Sequence, residues 1–322
     1  MTSTLQRPPT ADTDTRRRDI AFDSDGVTLR GWFYPAAGAA GAAPVIVMCH
    51  GFAAVKEMYL DTYAEVFAAA GLGVLVYDNR NLGASDGEPR GEITPWHQID
   101  DFRNAITYAQ SLPEVDADRV GIWGSSYSGA HVLVVAAIDR RVKVVCSQVP
   151  VVDGDANFRQ LVRADFVDGA RAGFDADRRA RFDGADPVMI DVVNEDPMAP
   201  SALPTPDSYE WFIATQQLRA PSFVNRCTLR SVERFSEYQP GAYLRLISPT
   251  PLLMCVAAND VLTPTKIAID GFGQACEPKK LVVLPGGHFD AYVKGFDISS
   301  GVQVAWFADH LLAGSPAAVK EN

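Results

Sequence analysis

The chain has 322 residues, 47% hydrophobic and 21% charged, an ordinary globular balance that fits one large domain with an insertion, or two domains. A formal net charge of −11 makes it a poor partner for nucleic acid or an anionic membrane, and no apolar run approaches the ~20 residues that span a bilayer. Five cysteines, Cys49, Cys146, Cys227, Cys255 and Cys276, lack paired spacing, which favours reduced thiols and a cytoplasmic setting.

Residues 1–19 are polar and carry Arg16-Arg17-Arg18 with no apolar core after it, so a flexible lead-in is expected and no signal peptide. Ile20 to Phe22 and Val27 to Tyr34 flank the turn Asp23-Ser24-Asp25-Gly26 and read as a hairpin. A low-complexity loop over 36–43 leads to the apolar run Val45 to Cys49, suited to a strand buried on both faces. Helical spacing follows over Tyr59 to Ala70, then a strand at Val74 to Tyr77, a helix at Gln98 to Leu112 and a strand at Val120 to Trp123. Ser128 to Ile138 reads as a helix and Val142 to Val149 as a strand. The alternation then stops and resumes with strands at Pro251 to Ala257 and Lys280 to Leu284 and an amphipathic helix at Val302 to Leu312. This pattern predicts an α/β fold with a mostly parallel central sheet and helices on both faces, formed by residues 20–152 and 244–315. Residues 153–243, rich in Arg, Asp, Phe and Pro, would be a mainly helical cap inserted into it.

Gly121-Ile122-Trp123-Gly124-Ser125-Ser126-Tyr127-Ser128-Gly129 is the stretch that points to chemistry. It is an apolar strand running through small residues into a helix, the setting of a nucleophile elbow. Ser126, two residues after Gly124, is the candidate nucleophile; Ser125 stays on the strand exit and Ser128 enters the helix. Ser128 also stands where a glycine is usual, with Gly129 one position later. A serine hydroxyl needs a base and a group that orients the base. Of five histidines, His97, His131 and His310 fall on helices and His50 shapes a loop. His288 lies in a glycine-rich loop just after an apolar strand and is the candidate base. Asp260, just past the penultimate strand, is the candidate acid; its other reading is a cap for the next helix. The order Ser126, Asp260, His288 is that of α/β-hydrolases. The backbone N–H groups of Phe52 and Tyr127 are the expected oxyanion donors.

The remaining motifs are weaker. The turn from Asp78 to Gly87 reads as scaffolding, and Gly71-Leu72-Gly73 precedes a strand, so it is no dinucleotide loop. No metal-ligand spacing occurs, and neither metal nor cofactor is expected. Lys56 would line the pocket or start a solvated helix. Phe158, Phe166, Phe174, Trp211, Phe212 and Phe223 are pocket candidates, with cap core as the other reading.

The chain resembles the α/β-hydrolase superfamily through HGFAAVKE (50–57), YDNRNLGASDGEPR (77–90), GIWGSSYSG (121–129), VAANDVLTP (256–264) and LPGGHFDAY (284–292). More narrowly it looks like the branch of fungal polyketide transferases, dienelactone hydrolases and Xaa-Pro peptidase-like enzymes. The resemblance implies a Ser126–His288–Asp260 triad, a cap and acyl transfer through an acyl-serine. Phe52 lacks the tyrosine hydroxyl that some peptidase-like relatives add to the oxyanion hole, which weakens a peptidase reading. The expected activity is hydrolysis of an ester or thioester of a small-molecule substrate with a hydrophobic or aromatic acyl group. An acyltransferase, an amidase or peptidase, and a non-catalytic binding protein are the alternatives, and a homodimer is left open.

Overall fold

The computed structural model describes residues 17–312, so all but the end of the expected lead-in lies outside the described residues. Strands β1 (Arg18–Ser24) and β2 (Val27–Tyr34) form the hairpin. Its two linking residues, Asp25 and Gly26, have φ of 52° and 83°, the left-handed pair whose twist matches that of the strands. Strands β3 (Ala43–Cys49) and β4 (Gly73–Tyr77) are buried along their whole length, as continuous apolar runs in a parallel sheet should be, and α1 (Leu60–Ala69) crosses between them. Helix α2 (Pro95–Gln110) begins three residues before the expected start because Pro95, with its fixed φ and no N–H, suits a first turn. It is followed by β5 (Val115–Ser125), α3 (Tyr127–Ile138) and β6 (Val142–Gln148).

Between β6 and the next sheet strand come α4 (Gly154–Leu161), α5 (Val167–Phe182), β7 (Met189–Ile190), α6 (Pro206–Leu218), β8 (Cys227–Thr228) and α7 (Leu229–Glu237). No strand was expected here, and β7 and β8 form a two-residue antiparallel pair too short to leave a pattern. Asp153 and Thr228 cap α4 and α7, accepting from Ala156 N at 2.9 Å and Ser231 N at 3.3 Å. The sheet resumes with β9 (Leu252–Ala257), α8 (Thr265–Phe272) and β10 (Lys279–Leu284), and the described residues end with α9 (Phe296–Phe307) and a π-helical segment, Ala308–Leu312. Helix α9 starts six residues before the expected point because buried Ser299, Ser300 and Gln303 interrupt its apolar stripe.

The eight sheet strands run in the order β1-β2-β4-β3-β5-β6-β9-β10. The first three pair antiparallel and the rest parallel. Helices α1 and α9 pack together in one layer, α2 and α3 in another. Register fixes the site: Cys49 pairs with Gly124, Ser125 with Gln148, Gln148 with Cys255, and Ala257 with Leu284. The carboxyl ends of five parallel strands therefore reach one edge, where the loops after them meet. Among the described residues, no helix is long and apolar enough to cross a membrane.

Candidate active site

Ser126 links β5 to α3 with φ 59° and ψ −117°, a conformation disfavoured for a residue with a Cβ. Its N–H donates to Gln148 O at 2.8 Å, and its carbonyl accepts from Ala130 and Val151, so the turn is pinned from both sides. The sharpness of the turn explains the two glycines around it. A Cβ at Gly124 would stand 2.2 Å from the Ser128 carbonyl oxygen, and one at Gly129 would stand 2.8 Å from Gln148 O and 3.2 Å from Pro150. Ser128, between them on α3, is buried with its side chain in place. Ser126 is half-buried among buried neighbours.

His288 and Asp260 arrive from the ends of β10 and β9 and are both buried. His288 Nδ1 lies 2.8 Å from Asp260 Oδ2. The other carboxylate oxygen accepts from Leu262 N at 3.0 Å and Thr263 N at 2.8 Å. The Thr263 hydroxyl lies 2.9 Å from Asp260 Oδ2, 3.0 Å from Val149 O and 3.1 Å from His288 Nδ1. Asp260 therefore holds the turn ahead of α8 and does not cap that helix, whose N-cap is Pro264. Holding the Nδ1 proton on the acid side leaves Nε2 as the basic nitrogen of the ring.

The loop after β3 presses on the elbow. A Cβ on Gly51 would lie 2.7 Å from Ser126 Cβ and 3.2 Å from its Oγ. His50 shapes this loop: Nε2 lies 2.8 Å from Met58 O, and Nδ1 accepts from Gly51 N at 2.8 Å. Both nitrogens are thus spent within the loop, and burial pushes the ring's pKa down to about 4. Because Gly51 N–H is used by His50, the next amide, that of Phe52, remains. Neither Phe52 N–H nor Tyr127 N–H meets a protein acceptor among the described residues, and the latter sits at the positive end of α3.

A buried polar network under the elbow escapes sequence reasoning. Tyr292 donates to Ser125 Oγ, which also accepts from Gln148 Nε2 at 3.2 Å. Gln148 Oε1 gathers Tyr63 at 3.0 Å, Ser299 at 2.8 Å and Gln303 at 2.7 Å. It ties β5, β6, α1 and α9 together directly behind Ser126. The available signal was a set of polar residues inside apolar runs, such as Gln148 at the end of Val144-Val145-Cys146-Ser147.

Ser126 and His288 line one cavity of only about 10 Å³ together with Gly51, Phe52, Trp211 and Phe289. Phe212 borders it as well. The other expected lining residues lie elsewhere. Lys56 is buried, with its ammonium 2.7 Å from Asp78 and 2.8 Å from Glu57, so it serves neither a pocket nor a solvated helix start. Asp78 also accepts from Lys56 N at 2.7 Å and Ala84 N at 2.9 Å, which fastens the Phe52 loop to the end of β4. Phe166 is 43% exposed beneath the Arg163 guanidinium. Phe158 and Phe174 pack against each other, 6.0 Å apart, and Phe223 packs on Phe212 at 5.1 Å. His131 is buried beside the Tyr127 ring, with Nε2 2.9 Å from Gln98, and supports the elbow from behind. Leu203, Leu262, Phe289 and Tyr292 line the cavity and were not foreseen, since loop and insertion residues carry no periodicity that tells which side faces the site.

Comparison with known proteins agrees with this architecture. The sequence profile of the Alpha/beta hydrolase family matches residues 46–294. A thiohydrolase of Aspergillus aculeatus is 34% identical over 266 residues, covering 80% of this chain and 81% of the relative. A polyketide transferase of Aspergillus fumigatus is 35% identical over 277 residues, covering 85% and 91%. The crystal structure of the alpha/beta hydrolase GrgF from Penicillium superposes with a TM-score of 0.80 at 29% identity, covering 92% of this chain and 99% of that one.

Proposed function

The chain belongs to the alpha/beta hydrolase family, and from that premise we propose that it is a serine hydrolase acting on a carboxylic thioester or ester through an acyl-serine. The observation that carries this reading is the cavity shared by Ser126, strained at the end of β5, and His288, whose Nδ1 is held 2.8 Å from Asp260.

In the proposed reaction the Ser126 hydroxyl oxygen attacks the acyl carbon and its proton passes to His288 Nε2. Asp260 keeps the imidazole in the tautomer with Nε2 free and stabilises the imidazolium. The amides of Phe52 and Tyr127 receive the oxyanion. His288 then returns the proton to the departing thiolate or alkoxide. Water, deprotonated by His288, attacks the acyl carbon, the acyl–Oγ bond breaks, and His288 returns the proton to Ser126 Oγ as the acid leaves. Segment 153–243 acts as a cap in this reading, since Leu203, Trp211 and Phe212 border the cavity.

The test is turnover of p-nitrophenyl esters and N-acetylcysteamine thioesters of increasing chain length. Wild-type protein should hydrolyse some of them, and Ser126→Ala should lose about 10⁴-fold or more in kcat. Equal turnover by Ser126→Ala would refute the assignment. A second reading, acyl transfer to a nucleophile other than water, draws support from relatives named polyketide transferases. It would appear as partition of the acyl group to an added acceptor at the expense of free acid.

A further inference from the structure

We propose that the indole N–H of Trp211 is a specificity-determining donor for an acceptor oxygen carried on the acyl chain. This rests on the reading of the cavity as the acyl site. Trp211, on α6, is 4% exposed and borders the cavity with Ser126 and His288. It is stacked on Phe289 at 4.7 Å and 20° and leans on Tyr292 at 5.4 Å. Its Nε1 is buried and meets no acceptor among the described residues. An indole nitrogen is a donor only, and a buried one ordinarily has a partner. The hydroxyls of Tyr59, Tyr77, Tyr127, Ser128, Ser201 and Thr215 are also buried without a partner among the described residues, but none of these side chains borders the cavity.

The cavity, about 10 Å³, holds one water at most, so an acyl chain enters by displacing the aromatic lining around this donor. A hydrocarbon chain then leaves the N–H buried and unmatched, whereas a ketone or hydroxyl on the chain satisfies it. Sites with a buried polar group discriminate against the analogue that leaves it unpaired. The site therefore selects an oxygenated acyl group over a plain one of equal length.

The test measures binding of hexanoyl, 3-oxohexanoyl and 5-oxohexanoyl N-acetylcysteamine thioesters to the Ser126→Ala protein by calorimetry. At least one oxo thioester should bind about tenfold or more tightly than the hexanoyl one. Adding Trp211→Phe, which keeps a ring and removes the donor, should bring that ratio toward one. A second reading needs no substitution at Trp211: in ¹⁵N-tryptophan-labelled Ser126→Ala protein the Trp211 indole N–H resonance should move downfield with the oxo ligand and not with the hexanoyl ligand. No oxo preference, a preference that survives Trp211→Phe, or an unmoved indole resonance overturns the proposal. Failure of the serine-hydrolase reading is seen separately, as wild-type protein whose Ser126 does not react with a fluorophosphonate.

Discussion

Asp260 has all its acceptor capacity committed: two amides, the Thr263 hydroxyl and His288 Nδ1 surround one carboxylate. Asp260→Asn replaces an oxygen by a donor in that ring of donors and favours the wrong imidazole tautomer. Its kcat should fall by about 10³- to 10⁴-fold in steady-state ester hydrolysis, and a kcat near wild type would move the acid's role to another residue. Gly51→Ala tests the other flank, because its Cβ would lie 2.7 Å from Ser126 Cβ and 2.9 Å from Ser125 O. Displacing the nucleophile by a fraction of an ångström to one ångström should lower kcat about 10²-fold; an unchanged kcat would show that the loop gives way freely. At this scale the sequence was informative where chemistry depends on order and on strand ends, as for Ser126, Asp260 and His288, which the fold gathers at one edge of the sheet. It did not reveal that Tyr63, Ser125, Gln148, Tyr292 and Ser299 bond to one another. Tyr63 and Ser299 are 236 residues apart, and nothing local marks them as partners.

The β5–α3 junction is the element on which the site depends. Its turn is closed by backbone meeting backbone at Gly124, where a methyl group would stand 2.2 Å from the Ser128 carbonyl. Gly124→Ala should therefore destabilise the fold by about 3 kcal/mol or more, read from urea unfolding; a loss below about 1 kcal/mol would show that the turn relaxes. The strand–turn–helix pattern made this junction readable, and Gly129 takes its place because it abuts Gln148 O at the end of β6 and Pro150 just beyond it. The insertion was harder to read. Trp211 and Phe212 reach the cavity, while Phe158 and Phe174 pair with each other and Phe166 lies at the surface. Aromatic content marks an apolar segment, but which face meets the site is set by tertiary docking. Lys56 was misread for a related reason, since its partner Asp78 comes from the loop after β4, 22 residues away.

For the whole molecule, two buried histidines couple stability to pH. Burial pushes His50 down to about 4 and His131 down to about 3, against an ordinary value of 6.5. Both stay neutral in the fold, and the unfolded chain takes up their protons as pH drops below 6.5. Stability is therefore full above that value and lost as pH falls from 6.5 toward 4. From pH 7 to pH 5 the loss should be about 2 kcal/mol for each histidine. His131→Gln should remove roughly half of their joint contribution to this slope in urea unfolding; an unchanged slope would contradict the assignment. The sheet register, the loops fastened by Asp78 and Asp260, and the network behind the elbow converge on Ser126, the serine proposed as nucleophile. Fluorophosphonate labelling followed by peptide mapping tests that most directly. One adduct on Ser126, absent from Ser126→Ala and much slowed in His288→Gln, is the predicted result. An adduct on another residue, or labelling of Ser126→Ala at the wild-type rate, would contradict it.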